Sequence, residues 1–204
     1  MMKKIQTLMV ALGACMLTAA SSCGGAAQEA NSADIVLNNI ATRASVRQFT
    51  NQIVDKTTLE TIVRAGMSAP SAVNKQPWAF VVVTDRSVLD SLENVHPHAN
   101  LKTATAAIIV CGDMKKALDG VAREYWVQDC AAATQNILLA AHALGLGAVW
   151  CGVHPSPERV ADVSRVLGLP ESVTPLNVIT MGYPAAQVQP KDKWQPENVH
   201  YQQW

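Results

Sequence analysis

Arg43, Ser45 and Arg47 stand at alternate positions in the stretch TRASVRQF. In an extended backbone alternate side chains leave the same face, so two guanidinium groups and a hydroxyl would converge on one anion. A solvated basic turn would give the same pattern. Near the other end, PKDK adds the cations Lys191 and Lys193. Between them PSAVNKQPW, residues 70–78, sets two prolines beside Ser71, Asn74, Gln76 and Trp78. The prolines stiffen the junction and the polar side chains offer hydrogen bonds, with Gln76, Pro77 and Trp78 bracing the loop. In EYWVQD, Tyr125 and Trp126 could stack on an aromatic molecule, or simply pack at a helix start or subunit seam. The HPH at residues 96–98 has no third ligand nearby in a loop-like stretch, so no metal site is expected. GxGxxG, GxxxxGK[ST], HExxH and GxSxG are all absent, which removes support for a Rossmann site, a P-loop, a zincin and a hydrolase nucleophile.

The elements that position these residues follow from periodicity and punctuation. DIVLNNIATRAS predicts a helix with Ile35, Leu37 and Ile40 apolar. Asp55 is a cap for a second helix carrying Leu59, Ile62, Val63 and Met67, closed by Pro70. AFVVVT, residues 79–84, is apolar on both faces and reads as a central strand; a short helix follows around Val88–Val95, then the buried strand AAIIVCG. Residues 124–144 lack proline and glycine and predict one long helix stopped by Gly145. GAVWCGV is a third strand, SPERVADVSRVLGL a helix with Ser156 as cap and Pro157 at its first position, and PLNVITMGYP a fourth strand. Helices and strands interleave, as in an α/β or α+β sandwich of helices around one sheet. From Pro184 onward the chain is polar, and VHYQQW carries too little to stand alone, so the tail is expected to pack on something, such as another subunit.

The first residues concern address. MMKK followed by a mostly apolar run to Ala20 has the length of a secretory signal rather than a membrane span. AASSCGG resembles the lipobox of bacterial lipoproteins, although Ala20 stands where leucine is usual; LGAC at residues 12–15 fits the box more strictly but leaves a very short apolar run, and an ordinary cleaved signal with an incidental Cys23 is a further reading. The expected organisation is a signal over 1–22, a tether over 23–33 lipid-anchored at Cys23, and one domain over 34–204. The protein would then be exported and held at the cell envelope. Removing residues 1–22 takes away Lys3 and Lys4 and no acid, so a formal net charge of 0 becomes −2. That balance gives no electrostatic case for nucleic acid. Cys111, Cys130 and Cys151 are widely spaced and fit neither a disulfide framework nor a zinc site; Cys111 and Cys130 read as buried small hydrophobes.

In order, RASVRQF, PSAVNKQPW, AATQNILLAAHALGLGAVWCG, MGYP and the closing KDK with HYQQW resemble the FMN-dependent nitroreductase family over about residues 35–204. The resemblance implies an α+β three-layer helix/sheet/helix fold with a central mixed sheet, and a homodimer with exchanged terminal segments. It implies that Arg43, Ser45, Arg47, Lys191 and Lys193 hold the FMN phosphate, whose charge of nearly −2 suits several cations. Pro70, Ser71 and Asn74 would run along the ribityl chain and ring edge. Backbone N–H groups of Trp150, Cys151 and Gly152 would lie near flavin N5 and O4, where they would stabilise the reduced ring. Two positions depart from the pattern: Ala44 where a second basic residue is common, and Lys193 where arginine is common. Lysine cannot form the bidentate fork.

The resemblance thus implies an oxidoreductase that passes electrons from NADH or NADPH through FMN to nitroaromatic, quinone or similar conjugated acceptors, with no catalytic acid or base assigned. Scarcity of nicotinamide outside the cytoplasm keeps alternatives open. These are a flavoenzyme of a dehalogenase or flavin-remodelling branch, and a flavin-binding or electron-carrying lipoprotein without turnover.

Overall fold

Strand β2, Ala106–Asp113, lies inside the sheet and divides two apolar layers. In the computed structural model, which describes residues 31–204, Ala106, Ile108 and Val110 join the layer under helices α2 (Lys56–Met67) and α4 (Tyr125–Ala143). Ala107, Ile109 and Cys111 join the layer under α3 (Arg86–Val95) and α5 (Pro157–Leu167). Period-two alternation into two covered faces is why the strand reads as an unbroken apolar run. The result is the expected three-layer α+β architecture. The expected signal and the Cys23 anchor lie outside the described residues.

The sheet order is β1-β2-β4-β3, with β1 at Trp78–Val83, β3 at Gly147–Gly152 and β4 at Val173–Gly182. Two expectations need correction. Neighbouring strands all pair antiparallel, so the sheet of this chain is not mixed; the parallel element is a single bridge from Ser45 to Ala148. β1 is an edge strand rather than a central one. Its apolar residues report that helices cover its faces, whereas centrality depends on hydrogen bonding at its edges, which side-chain pattern does not encode.

The helices start and stop where local chemistry directs. Asp55 accepts from the Thr58 amide at 2.9 Å and Asp85 from that of Ser87 at 2.8 Å, capping α2 and α3. Ser156 caps α5 with Pro157 at its first position, and Gly145 past α4 adopts φ of 76°, which costs a glycine nothing. Helix α1, Ser32–Thr42, leans on α4 through Asn39 Nδ2, which donates to the Leu139 carbonyl at 3.1 Å, and through Thr42 Oγ1 at 2.9 Å from His142 Nε2. Its apolar Ile35, Val36, Leu37 and Ile40 stay at least half exposed, because nothing among the described residues covers that face.

Cys111, Cys130 and Cys151 are free and buried. Burial pushes the Cys111 thiol up to about 12 and raises Cys130 and Cys151 as well, Cys130 being raised further by neighbouring Cys111 and Asp129. These three thiols should therefore resist alkylation in native protein at pH 8 and label fully in denaturant, as mass spectrometry would show. A second outcome concerns Gly147, where an added Cβ would stand 2.7 Å from Val46 Cβ. Gly147→Ala should lower stability by about 1–3 kcal/mol in a denaturant titration, and pairing it with Val46→Ala should recover part of the loss.

Candidate functional site

After α1 ends at Thr42 the chain becomes extended and lies against β3. The Val46 amide donates to the Ala148 carbonyl at 3.1 Å, and Val46 itself is buried beneath the strand. With Val46 inward, the pleat turns Arg43, Ser45 and Arg47 away from the core. A few residues on, the Thr50 amide donates to the Tyr183 carbonyl at 2.8 Å and the Ala185 amide to the Gln48 carbonyl at 3.0 Å. Those bonds lead the chain leaving β4 back beside residues 43–47, where residues 188–193 form a second wall.

The two walls enclose an open concavity of about 890 Å³ whose lining includes Arg43, Ala44, Ser45, Arg47, Lys191 and Lys193. The five residues expected at a phosphate, Arg43, Ser45, Arg47, Lys191 and Lys193, thus line one concavity, with Ala44 among them. Asp192 also lines it, its carboxylate accepting from the Trp194 amide at 2.9 Å. None of the four ion pairs among the described residues uses Arg43, Arg47, Lys191 or Lys193. Four cations without a carboxylate partner form a focused positive site that suits an anion carrying more than one charge.

The loop at residues 70–78 does not line that concavity. It turns through Ala72–Asn74 with three residues in the left-handed region: Val73 at φ 42°, Asn74 at 57° and Gln76 at 49°. Asn tolerates this conformation, but a β-branched valine does not adopt it without strain. Internal bonds hold the shape. Ser71 Oγ accepts from the Gln76 amide and Asn74 Oδ1 from Gln76 Nε2, both at 2.9 Å. Gln76 is therefore a brace, while the Ser71 hydroxyl and the Asn74 amide nitrogen keep their own protons for an outside partner. Pro70 is exposed at the loop's entrance.

At the end of β3, Trp150 is 38% exposed and Gly152 is open, since a Cβ there would meet no atom within 4 Å. Cys151 between them points the other way, its thiol donating to the Ala99 carbonyl at 3.4 Å. The parallel bridge at Ser45 brings Arg47 level with Trp150, and the Arg47 charge is felt at the Cys151 thiol, where it opposes the rise caused by burial. The cationic cluster and the strand expected at the flavin ring are thus adjacent, although Trp150, Cys151 and Gly152 are not part of the concavity's lining.

Tyr125 is 48% exposed, but Trp126 is only 4% exposed. Its ring packs edge-on to His154 with centroids 4.9 Å apart, and a Cβ at Gly112 would fall inside it. Trp126 is a core residue here rather than a stacking surface, because the start of α4 turns it inward. His96 is buried with neither ring nitrogen bonded, while His98 is exposed, so the HPH imidazoles do not share a site. No cluster of three or more potential metal ligands occurs among the described residues.

One residue went unassigned in the sequence. Asp129, 7% exposed, accepts from the Ala72 amide at 2.8 Å and ties α4 to the 70–78 loop. It is the one carboxylate in the 19-residue helix, which is the signal that could have marked it.

With that geometry in view, similarity to known proteins is informative. The nitroreductase family profile matches residues 40–100 and 93–183. A "Putative NADH dehydrogenase/NAD(P)H nitroreductase" from Methanothermobacter thermautotrophicus is 45% identical over 170 residues, spanning 83% of this chain and 87% of that protein. A solved structure of the same name from Bacteroides thetaiotaomicron is 46% identical with a TM-score of 0.79, and the match spans 86% of this chain and 100% of that one. The solved NADPH:FMN oxidoreductase of Vibrio harveyi, complexed with NAD+, is 26% identical with a TM-score of 0.75 over 83% of this chain and 78% of its own. Profile, identity and fold agree, and the chain belongs to the nitroreductase family.

Proposed function

We propose that this protein is an FMN-dependent oxidoreductase that draws electrons from NADH or NADPH and delivers them to nitroaromatic, quinone or similar conjugated acceptors. The observation that carries this reading is the meeting of Arg43, Ser45, Arg47, Lys191 and Lys193 in one concavity beside β3. The donor set fits a flavin mononucleotide: cations for a doubly charged phosphate, hydroxyl and amide donors on the 70–78 loop, and an open strand end at Gly152. When bound, FMN supplies hydride acceptance from the nicotinamide and electron delivery to the acceptor. The chain's own residues bind and orient. Arg43, Arg47, Lys191 and Lys193 neutralise the phosphate, Ser71 and Asn74 donate to polar groups of the cofactor, and the backbone of Trp150–Gly152 offers donors that stabilise negative charge on the ring. Tyr125 is the exposed aromatic at the start of α4 that could meet an acceptor.

The working unit in this reading is a homodimer. Three features support it: the uncovered apolar face of α1, the unpaired edge of β1 with Val82 44% exposed, and a tail whose Trp194, Tyr201 and Trp204 are 70%, 78% and 100% exposed. A second copy would cover such surfaces. We further place the protein at the cell envelope through lipid on Cys23, on the strength of the sequence pattern around that residue.

Purified full chain should be yellow, show a flavin spectrum and bleach on anaerobic addition of NADH or NADPH. Absence of flavin after reconstitution would overturn the reading, and bound flavin that neither nucleotide reduces would leave a carrier instead. Arg47→Ala should weaken FMN binding roughly 10- to 150-fold in a fluorescence titration, the equivalent of one lost charge-assisted hydrogen bond. Cys23→Ala should move the protein from the membrane fraction to the soluble one, and unchanged membrane association would remove the anchor.

A further inference from the structure

We infer that Asp129 is a positioning residue for the cofactor: it anchors the 70–78 loop so that Ser71 and Asn74 face the flavin, an inference that rests on the FMN reading above. A carboxylate in an apolar interior is strongly unfavourable unless its oxygens are hydrogen-bonded. Asp129 sits among buried Trp126, Cys130 and Ala133 on α4 and spends its Oδ1 on the Ala72 amide at 2.8 Å. That bond holds the turn from outside. The other hydrogen bonds of the turn are internal, and the loop's second external tie, from the Asp113 amide to the Pro77 carbonyl at 2.7 Å, lies at its exit into β1.

A second observation lies one stripe along the same helix. Asn136, seven residues after Asp129 and so on the same face, donates through Nδ2 to the Ala65 carbonyl at 3.1 Å near the end of α2. Next to Asn136, Ile137 presses on Gly66, where a Cβ would stand 2.8 Å from Ile137 Cγ1. One face of α4 therefore holds the last turn of α2 at Ala65 by an amide and the α2–β1 connection at Ala72 by a carboxylate. Directly after Ala72 come Val73, Asn74 and Gln76 in left-handed conformations. Strained backbone persists where its surroundings over-determine it, and at this turn the Asp129 carboxylate adds the external hold to the internal bonds of Ser71, Asn74 and Gln76. Released from it, Val73 would relax toward negative φ and carry Asn74 with it.

The test uses the full chain with Asp129→Leu, which keeps apolar volume but offers no acceptor, and Asp129→Asn, which keeps an acceptor oxygen without the charge. Three quantities are read: FMN affinity by fluorescence titration, hydrogen exchange at the Ala72 amide without FMN, and the thermal midpoint of the apoprotein. Asp129→Leu should fold with a midpoint at or above the parent's, since an unpaired buried charge has been removed, yet bind FMN at least about tenfold more weakly and exchange the Ala72 amide at least about tenfold faster. Asp129→Asn should stay within about threefold of the parent in both. Parent-like FMN binding in the leucine variant would overturn the inference, and so would an asparagine variant as weak as leucine. A leucine variant that does not fold would assign Asp129 to the core and overturn it as well. If the parent itself binds no FMN the cofactor reading fails separately, while the exchange rate at Ala72 still decides whether Asp129 anchors the loop.

Discussion

The backbone bond from Val46 to the Ala148 carbonyl, made over a residue without a Cβ, is the contact on which the proposed site depends. It fixes an extended segment to the outer side of β3, and only there does alternation turn Arg43, Ser45 and Arg47 away from the core together. The same segment, a few residues on, bonds to Tyr183 and Ala185 and so draws in the stretch that carries Lys191 and Lys193. Gly147 is the condition for all of this, since any side chain there would collide with Val46. An electrostatic site at one edge of the sheet thus rests on a steric fact about one glycine.

The sheet has two unlike edges. At β3 the edge is partly closed by residues 45–46 and flanked by cations. At β1 no described strand pairs with it, and it lies beside an apolar groove lined by Ile53, Val63, Met67 and Val82. Unpaired edges of that kind invite pairing with another chain. Nitroreductase membership accounts for the chemistry expected at the first edge; the second, with the uncovered face of α1, is what makes a lone subunit look incomplete.

Much of the framework was legible in the sequence because its determinants are local. Asp55, Ser156, Pro157 and Gly145 mark helix ends through bonds and dihedrals within a few residues, and β2 announces itself by apolar continuity. The grouping of Arg43, Ser45 and Arg47 followed from alternation alone. What was not legible depends on distant partners. AFVVVT shows covered faces but not an uncovered edge, so β1 reads as central when it is not. Trp126 and Tyr125 are neighbours, yet the angle at which α4 meets the sheet sends one ring into the core and leaves the other outside. Asp129 bonds to a backbone amide, and such a partner leaves no residue-type signature at Ala72.

The pairing of Ser45 and Val46 with Ala148, and of Gln48 and Thr50 with Ala185 and Tyr183, joins stretches of chain that lie far apart in sequence. Closing loops of that size is entropically unfavourable and comes late in folding. The anion-binding walls therefore assemble only after most of the sheet exists, once residues 188–193 come in beside residues 43–47. A ligand for those walls can do nothing to start the fold. It acts instead by mass action on the finished state, raising its stability in proportion to the logarithm of ligand concentration over dissociation constant once the ligand is in excess. Cofactor supply would then govern how long a folded molecule survives rather than how quickly it forms.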